Sequence, residues 1–427
     1  MRNHRLLAVL TVAVTALVTT GCGGGDSGGG SGGTTTLTFV NAQDPGTFDK
    51  VIAAFQAANP TIRIKQQVVP FDDLNSTVQS RLGAKDTGID LYDVDEPRLA
   101  AFASRGFLEP LDDLSAQAQG KIDASALKIT SFGGKQYAIP RWTSAQLLYY
   151  NKDLLAKAKI AAPSSDPKAP ITWEQVAADG KKAQAAGARY GLIFDQVDRY
   201  YQLQPLPESL GGGPGLTGAD LLQPDVTDPQ WIQAFTWYHD IFATGVAPRG
   251  INPEQTPGLF ATGNTAFFAG GPWNAAAFDK DKGVDYGVAP FPRFAQGKPA
   301  TSTGSWSTGI SPFSKHKDAA KKFLSYMTVD PAGATATISN NIPVQKQAFQ
   351  RYLSDLGTKG ERYKQIGDIV EYAIANTSVS RPVTTGYVDF ESVMNKAFAD
   401  IRNGSDASTR LTQAGQELDR TLAKYRK

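Results

Sequence analysis

Cysteine and histidine, which most often bind metals or serve as nucleophile and base, are scarce in this chain of 427 residues. It contains one cysteine, Cys22, and three histidines, His4, His239 and His316. A lone cysteine excludes an internal disulfide and a thiolate metal cluster. The histidines are far apart and match no H-E-x-x-H or Cys-His spacing. The sequence therefore predicts no metal site and no cofactor, and we expect His239 on the surface of a helix.

The chain also lacks an excess of either charge. Its 43 basic and 41 acidic residues give a formal net charge of +2. Removing an N-terminal leader that contains Arg2 and Arg5 but no acidic residue leaves the two signs equal. A protein that binds nucleic acid through its phosphates carries a basic patch or a basic overall balance. We therefore expect no nucleic-acid partner.

The N-terminus has the pattern of a secreted bacterial lipoprotein. Arg2 and Arg5 precede an apolar run, Leu6–Val18, that is too short to span a bilayer. The string TTGC that ends at Cys22 resembles a lipobox, although Thr19 stands where an aliphatic residue is usual. The resemblance implies a signal peptide over residues 1–21 and a lipid anchor with palmitate on Cys22, at the outer face of the cytoplasmic membrane. An ordinary secretory leader with an incidental cysteine is the alternative.

Residues 22–36 are rich in glycine and serine and are predicted to form a flexible tether. The tether contains the string GDSGG, which matches both a serine-protease nucleophile string and G-x-S-x-G. A nucleophile elbow needs a strand before it, a helix after it and an activating histidine nearby. None of these is expected in a glycine-rich tether, so we assign it no catalytic role.

From Leu37 onward, strand and helix patterns alternate, which predicts mainly parallel sheets covered by helices. Ligands of such sheets bind at the carboxyl ends of the strands. Gln43 and Asp44 follow the first predicted strand, and Asp95 and Glu96 follow a later one. We predict a binding site that includes these four residues. For Asp95 and Glu96, capping of the helix after them is the alternative.

The segment 135–151 is predicted to cross from one lobe to another. Two short strands, 136–139 and 146–150, flank a polar break that begins at Pro140, and proline cannot donate to a strand ladder. In this break, Arg141 and Trp142 offer a fixed donor fork and a flat apolar face to a ligand. A core position is the alternative for Trp142.

The remaining tryptophans divide into structural and exposed candidates. Trp173 follows a capping threonine and is expected to be structural, and an aromatic stripe that begins at Trp231 on a helix is expected in the core. Trp273 lies in a Gly/Pro turn and Trp306 in a run of small residues, so we expect a ligand to reach both rings; a core position is the alternative for each. Two polar breaks contribute further candidates, Asp198 with Tyr200, and Arg381 with Tyr387.

Several stretches together resemble the bacterial extracellular solute-binding protein family 1, the maltose- and oligosaccharide-binding type of ABC importers. They include GIDLYDVDEPRLAAFASRGFLEPL at 88–111, YYNKDLL at 149–155, GNTAFFAGGPW at 263–273 and the segment 304–336. The resemblance covers nearly the whole chain after the tether. It implies two α/β lobes, each a mainly parallel sheet flanked by helices, joined by a hinge of several strands. Lobe one is expected at 34–141 with 308–344, and lobe two at 142–307 with 345–427.

The resemblance also implies a function and a site. The family captures a sugar in the cleft between the lobes and presents it to an ABC permease, without breaking bonds, and we expect a monomer. The predicted ligand-binding residues are Gln43, Asp44, Asp95, Glu96, Arg141, Trp142, Asp198, Tyr200, Trp273, Trp306, Arg381 and Tyr387. For Arg381, a salt bridge between the lobes is the alternative. Two other functions stay open: a carbohydrate-active enzyme such as a glycosidase, in which a carboxylate pair acts on one bond, and a receptor for a non-sugar solute.

Overall fold

A computed structural model describes residues 33–281, 283–304, 306–338 and 341–426. The predicted signal peptide, Cys22 and most of the predicted tether lie outside the described residues. The first strand, β1 (Thr35–Asn41), includes the last two residues of the predicted tether. It pairs from Thr35 onward with β2 (Ile62–Val68), so residues 35 and 36 belong to the fold. None of the helices in the described part combines the length and apolar character that a bilayer span requires.

The first sheet contains five strands in the order β2-β1-β3-β15-β6. Its other members are β3 (Leu91–Asp95), β6 (Ala138–Pro140) and β15 (Trp306–Ile310). β1 is parallel to β2 and β3, whereas β15 is antiparallel to both β3 and β6. Four strands therefore run in one direction and β15 runs against them. The parallel strands are joined by helices, as parallel pairing requires.

The second sheet contains four strands in the order β13-β8-β12-β9. They are β8 (Leu147–Asn151), β9 (Tyr190–Phe194), β12 (Thr265–Gly270) and β13 (Tyr286–Pro290). β12 is parallel to β9, and β8 is antiparallel to both of its neighbours. Here too one strand opposes the others, so both sheets are mainly parallel in direction, as predicted.

Four short ladders complete the strand pairing, and two of them lie where the chain passes between the sheets. β7 (Trp142–Thr143) pairs with β16 (Ile342–Pro343), and β14 (Thr301–Thr303) pairs with β17 (Ser378–Ser380). The other two ladders are β4 (Ser131–Phe132) with β5 (Lys135–Gln136), and β10 (Leu216–Thr217) with β11 (Gln223–Pro224). The chain leaves the first sheet through β7, returns through β14 and leaves again after β16. These passages form the multi-strand hinge.

The helices fall into three groups according to the core that they cover. Those of the first sheet are α1 (Asp49–Ala58), α2 (Leu74–Gly83), α3 (Leu99–Ser104), α4 (Asp112–Ala118), α5 (Ala124–Ile129), α13 (Lys317–Thr328) and α14 (Pro331–Ala336). On one face of the second sheet lie α6 (Lys152–Lys157), α7 (Trp173–Ala185), α8 (Tyr200–Leu203), α9 (Pro205–Leu210), α10 (Pro229–Ala243), α17 (Tyr387–Arg402) and α18 (Ala407–Leu422). On its other face lie α11 (Thr256–Ala261), α12 (Ala275–Asp281), α15 (Lys346–Thr358) and α16 (Glu361–Asn376).

Side-chain alternation along the strands explains why the second sheet has two cores. In β8, Leu148 and Tyr150 pack into one cluster, whereas Leu147 and Tyr149 pack into the other. This is the period of two expected of a strand buried on both faces. Trp173 and the aromatic stripe of α10 are buried in the first of these clusters, as predicted.

Local capping signals position several helices. Thr172 accepts a hydrogen bond from the backbone N–H of Gln175 at the start of α7, and Asp228 accepts one from Trp231 at the start of α10. The region after α13 is mostly helical, but β16 and β17 interrupt it. Each of these strands has only two or three residues and pairs with a distant segment, so local sequence does not reveal it.

Candidate functional site

Polar strand ends from the two sheets converge on one cluster of side chains. Asp95 is the last residue of β3, and Trp306, the first residue of the antiparallel β15, pairs with it in the ladder. Asp195 follows β9, and Trp273 follows β12 after one glycine and a proline. The cluster therefore lies where ligands of α/β sheets bind, at the carboxyl ends of strands.

A forked ion pair between Asp95 and Arg381 lies in this cluster. Arg381 Nη1 donates to Asp95 Oδ2 at 2.9 Å, and Nη2 donates to Oδ1 at 2.5 Å. Arg98 Nε is 3.5 Å from Asp95 Oδ2 and also pairs with Glu391. Burial lowers the pKa of Arg381, but Asp95, Tyr387 and Glu391 together hold that pKa well above its usual range. Arg381 thus forms a salt bridge, which was the alternative prediction for it. The side chain of Asp95 caps no helix, so the capping alternative does not describe Asp95.

Tyr201 connects this ion pair to the rest of the cluster. The guanidinium carbon of Arg381 lies 5.2 Å from the centroid of the Tyr201 ring, a cation–π distance. The hydroxyl of Tyr201 donates to Ser144 Oγ at 2.8 Å, and Ser144 Oγ donates to the carbonyl oxygen of Gly304 at 2.8 Å. Burial raises the pKa of Tyr201 to about 12, so its hydroxyl stays protonated at neutral pH. The Trp273 ring is 6.5 Å from Tyr201.

Asp195 is a buried carboxylate that holds the Trp273 turn. Its Oδ2 accepts hydrogen bonds from Trp273 Nε1 at 3.0 Å and from Asn274 Nδ2 at 2.9 Å. Burial raises the pKa of Asp195 to about 6, and the two hydrogen bonds limit the rise. Trp273 itself is half-buried and Asp195 is 5% exposed.

An aromatic and charged rim covers Trp306. Its ring packs edge-on against Phe71 with centroids 5.6 Å apart, and Phe71 is 47% exposed. The Arg199 guanidinium lies 4.8 Å from the Phe71 ring and pairs with Asp72 at 3.0 Å and Glu254 at 3.2 Å. Trp306 itself belongs to the core of the first sheet and keeps only 9% of its surface exposed.

In sum, the cluster offers aromatic rings, carboxylates and guanidinium groups in a largely buried setting. Aromatic faces pack against C–H surfaces, and carboxylates and guanidinium forks bond hydroxyls. No group of three or more histidine, cysteine, aspartate or glutamate side chains in the described ranges has the geometry of a metal site.

The sequence model of the bacterial extracellular solute-binding proteins matches residues 40–334. The chain belongs to this family. That confirms the resemblance inferred from the sequence. Among curated relatives, the galactooligosaccharide-binding protein of Bacillus subtilis is 23% identical over 337 residues, which cover 74% of this chain and 76% of that protein. The mannitol-binding protein of Pseudomonas aeruginosa is 25% identical over 70% of each chain.

Solved structures confirm the two-lobed fold of this solute-binding protein. An ABC substrate-binding protein of Listeria monocytogenes, in complex with cycloalternan, superposes with a TM-score of 0.79 at 23% identity, over 91% of this chain and 99% of that one. The GacH receptor of Streptomyces glaucescens, solved without ligand and with acarbose, also gives 0.79, at 22% identity over 92% and 100%. At these identities the likeness establishes the fold.

In this solute-binding protein, Arg141 and Trp142 are buried in the core of the first sheet. The Arg141 guanidinium pairs with Asp93 at 2.9 Å, donates to Thr308 and lies 4.1 Å from the Trp142 ring centroid. Trp142 is 0% exposed and stacks on Phe48 with ring centroids 5.7 Å apart. Trp142 therefore occupies a core position, which was the alternative prediction for this residue. Burial raises the pKa of Asp93, and Arg141 limits that rise.

Gln43, Asp44 and Glu96 lie at three different places. Gln43 Nε2 donates to Asp93 Oδ2 at 3.2 Å and so supports the buried ion pair below the cluster. Asp44 is exposed and lies in a turn, in which its carbonyl oxygen accepts from Thr47 N–H. Glu96 is 2% exposed and lies against Gly304, where a Cβ would be 2.4 Å from Glu96 Oε2. Gly304 has φ +83°, so glycine suits this close approach on both counts.

Asp198 and Tyr200 are not brought into the cluster, whereas Tyr387 borders it: its hydroxyl donates to Glu391 at 3.0 Å, and the Arg98 guanidinium carbon lies 5.9 Å from its ring centroid. Asp198 accepts from the Tyr238 hydroxyl at 3.0 Å and pairs with Arg402 at 3.0 Å. Tyr200 and Tyr387 are 0% exposed members of the core of the second sheet. The physical reason is that Asp198 takes a positive φ of 65° and α8 begins at Tyr200, which turns both side chains away from the strand end.

Sequence reasoning missed Asp195, Tyr201, Ser144 and Arg98. The first two lie in the same polar run as Asp198 and Tyr200, at its ends, so composition identified the run but not the side that faces the cluster. Ser144 lies in the break after Pro140. Arg98 is two residues after Glu96, in a 3-10 turn, Glu96–Arg98. Asp195 could have been found from its position, because it comes directly after a buried strand.

Proposed function

We propose that this solute-binding protein captures a sugar or oligosaccharide between its two lobes and delivers it to an ABC import permease. The observation that carries the proposal is the pair of tryptophans, Trp273 after β12 and Trp306 at the start of β15, beside the Asp95–Arg381 fork. Indole rings stack on the C–H faces of sugars, and the fork supplies acceptors and donors for hydroxyls. The proposed lobes keep the predicted limits, 34–141 with 308–344 and 142–307 with 345–427, although Trp142 and Trp306 at their joins pack in the core of the first sheet.

The names of the relatives support a sugar ligand. Galactooligosaccharide, mannitol and maltotriose are the ligands named for the relatives from Bacillus subtilis, Pseudomonas aeruginosa and Pyrococcus abyssi. All three are uncharged polyhydroxyl compounds. Asp95 and Arg381 neutralise each other, so the fork itself offers no unbalanced charge to an ionic ligand.

The test is a thermal-shift screen of the purified full chain against sugars, polyols, amino acids and polyamines, followed by calorimetry on each compound that stabilises it. A ligand stabilises the native state in proportion to the logarithm of its concentration over its dissociation constant. We expect neutral oligosaccharides to stabilise the chain. Stabilisation by amino acids or polyamines alone would establish the non-sugar alternative.

With the ligand in hand, Trp273→Ala is expected to cost about 2 kcal/mol of binding free energy. That corresponds to about thirtyfold weaker binding. Trp306→Ala is expected to weaken binding as well. Trp237→Ala is the matched control, because Trp237 packs on Trp173 in the core of the second sheet, with ring centroids 5.2 Å apart. Unchanged affinity in both cluster variants would place the ligand elsewhere.

The enzyme alternative is tested on the same samples. A glycosidase acts through two carboxyl groups, one of which has a raised pKa, and Asp195 has the raised pKa in this cluster. Chromatography of the sugar after prolonged incubation distinguishes the two functions. We expect the ligand to be recovered intact; hydrolysed product that disappears in Asp195→Asn would establish an enzyme.

We further propose that a lipid on Cys22 anchors the protein, as a monomer, at the outer face of the membrane. Mass spectrometry of the N-terminal peptide and palmitate labelling test the modification. Cys22→Ala is expected to abolish the label and release the chain from the membrane fraction. Thr19→Leu, which installs the aliphatic residue usual in a lipobox, is expected to keep both. An unmodified Cys22 in the mature chain would leave only a secretory leader.

A further inference from the structure

We infer that Asp195 is a positioning residue that fixes the indole plane of Trp273 and thereby sets the surface on which a ligand stacks. The inference rests on the proposed function, in which Trp273 contacts the ligand. Asp195 itself is buried at the N–H edge of the ring, at 5% exposure. It acts on binding through Trp273 and not by contact with the ligand.

The geometry of the turn shows how one carboxylate oxygen holds two side chains. Asp195 Oδ2 accepts from Trp273 Nε1 at 3.0 Å and from Asn274 Nδ2 at 2.9 Å. Asn274 Nδ2 also donates to the carbonyl oxygen of Gly271 at 3.3 Å. The first hydrogen bond sets the direction of the indole N–H, and the second ties the turn to the end of β9. The ring therefore cannot swing out without breaking a hydrogen bond to Asp195.

Gly271 forms the surface on which the Trp273 ring packs. A Cβ placed on Gly271 would lie 2.0 to 2.3 Å from three carbons of the Trp273 ring. The indole therefore packs directly on the backbone of Gly271, in space that only glycine leaves open. The carbonyl oxygen of Gly271 also accepts a hydrogen bond from the Tyr149 hydroxyl at 2.9 Å. This bond ties the backbone of Gly271 to β8. One face of the ring is thus set by backbone, and its edge is set by Asp195.

The charge of Asp195 makes this restraint stronger than that of a neutral acceptor. No lysine, arginine or histidine among the described residues forms an ion pair with Asp195; Arg199 is the cation whose field favours its ionised form, and the phenols of Tyr149 and Tyr201 face it uncharged. Since burial raises its pKa to about 6, Asp195 is ionised at neutral pH. Hydrogen bonds to an ionised acceptor are roughly twice as strong as neutral ones.

A double-mutant cycle tests whether Asp195 acts through the ring. Asp195→Ala is expected to weaken the ligand identified in the screen by about tenfold, the effect of losing a hydrogen bond to a charged group. In a Trp273→Ala background, the same change is expected to alter affinity by less than about twofold, because the restrained ring is gone. Equal losses in both backgrounds would overturn the inference. Asp195→Asn keeps an acceptor oxygen and is expected to retain most of the affinity.

Asp198→Asn is the matched control. Asp198 is a second mostly buried carboxylate of the same loop, but it bonds Tyr238 and Arg402, away from Trp273. Its replacement is expected to leave affinity unchanged even where it lowers stability. A loss of affinity equal to that of Asp195→Ala would indicate a general disturbance of the loop and would overturn the inference.

Fluorescence without ligand separates this inference from the proposed function. The difference spectrum between the wild type and Trp273→Phe isolates the emission of Trp273. Its intensity is expected to change with pH about a midpoint near 6 and to become flat in Asp195→Asn. If no sugar binds but this titration is present, the proposed function fails and the restraint on the ring stands. If sugar binds and Trp273 emission is the same in the wild type and Asp195→Asn at every pH, the restraint fails.

Discussion

Arg381 and Asp95, 286 residues apart in the chain, form a two-bond fork that joins the segment after β17 to the carboxyl end of β3. Their side chains are 7% and 13% exposed. The fork therefore joins the two proposed lobes beside Trp306, which pairs with Asp95 in the ladder. Arg98 and Glu391 extend it, because Arg98 contacts both carboxylates.

Breaking the fork on one side is expected to destabilise the protein more than removing both partners. Arg381→Met leaves Asp95 desolvated beside only Arg98, so we expect a loss of about 3 kcal/mol in the free energy of unfolding. The double variant Arg381→Met/Asp95→Leu is expected to lose less than the sum of the single changes. Urea unfolding of the four proteins gives the coupling energy.

The Arg410–Asp400 pair provides the control for this cycle. It joins α17 and α18 within one proposed lobe, at 2.7 Å, and Asp400 is 40% exposed. A partly solvated pair contributes little, on the order of 1 kcal/mol or less. A coupling energy for the Arg381–Asp95 pair no larger than that of this pair would contradict the view that the fork is a buried link between lobes.

We expect the ion pairs of Arg199 to slow ligand release, and we expect high salt to abolish this effect. Arg199 lies over Phe71 and pairs with Asp72 and Glu254, whose side chains are 69% and 65% exposed. Charges this exposed are screened within about 3 Å at 1 M salt. Arg199→Ala should therefore speed ligand release several-fold at low ionic strength and much less at 1 M salt, as measured by stopped-flow displacement.

Lys364→Ala is the matched control for the rim, because it removes an exposed pair with Asp368 on α16. This variant should release the ligand at the wild-type rate at every salt concentration. A difference between Arg199→Ala and the wild type that persists unchanged at 1 M salt would assign the effect to packing on Phe71 instead of to ion pairing.

Elements that rest on local signals could be predicted from the sequence. In the strand at 190–194 and the helix at 317–328, apolar periodicity and flanking turns mark both limits in the sequence. The caps at Thr172 and Asp228 are also local. By contrast, the β7–β16 and β14–β17 ladders join segments far apart in sequence, and no local pattern specifies such short pairings.

The candidate site shows the same division at the level of single residues. Composition identifies the polar run that starts at Asp195, since it follows a buried strand. Which members face the cluster depends on the backbone, because the positive φ of Asp198 and the start of α8 at Tyr200 end the alternation of the strand. Asp195 and Tyr201 enter the cluster for that reason, and the two residues predicted from the run do not.

The pH dependence of stability is expected to reveal the cost of burying Asp195. Its pKa rises from 3.8 to about 6 on folding, so between these values the folded protein binds a proton more tightly than the unfolded chain does. Stability contributed by this group is therefore present at low pH and is lost as the pH rises toward 6. A shift of this size corresponds to about 3 kcal/mol of destabilisation once the group is ionised.

Asp195→Asn removes the ionisation while it keeps the shape of the side chain and an acceptor oxygen. At pH 7.5 we expect the variant to be more stable than the wild type by about 3 kcal/mol, the value of the shift, which already includes the hydrogen bonds from Trp273 and Asn274. At pH 4 the difference should shrink to near zero or reverse, and urea unfolding at both pH values measures it. Asp44→Asn, which removes an exposed carboxylate, should follow the wild type. A stability difference between Asp195→Asn and the wild type that is the same at both pH values would contradict the raised pKa of Asp195.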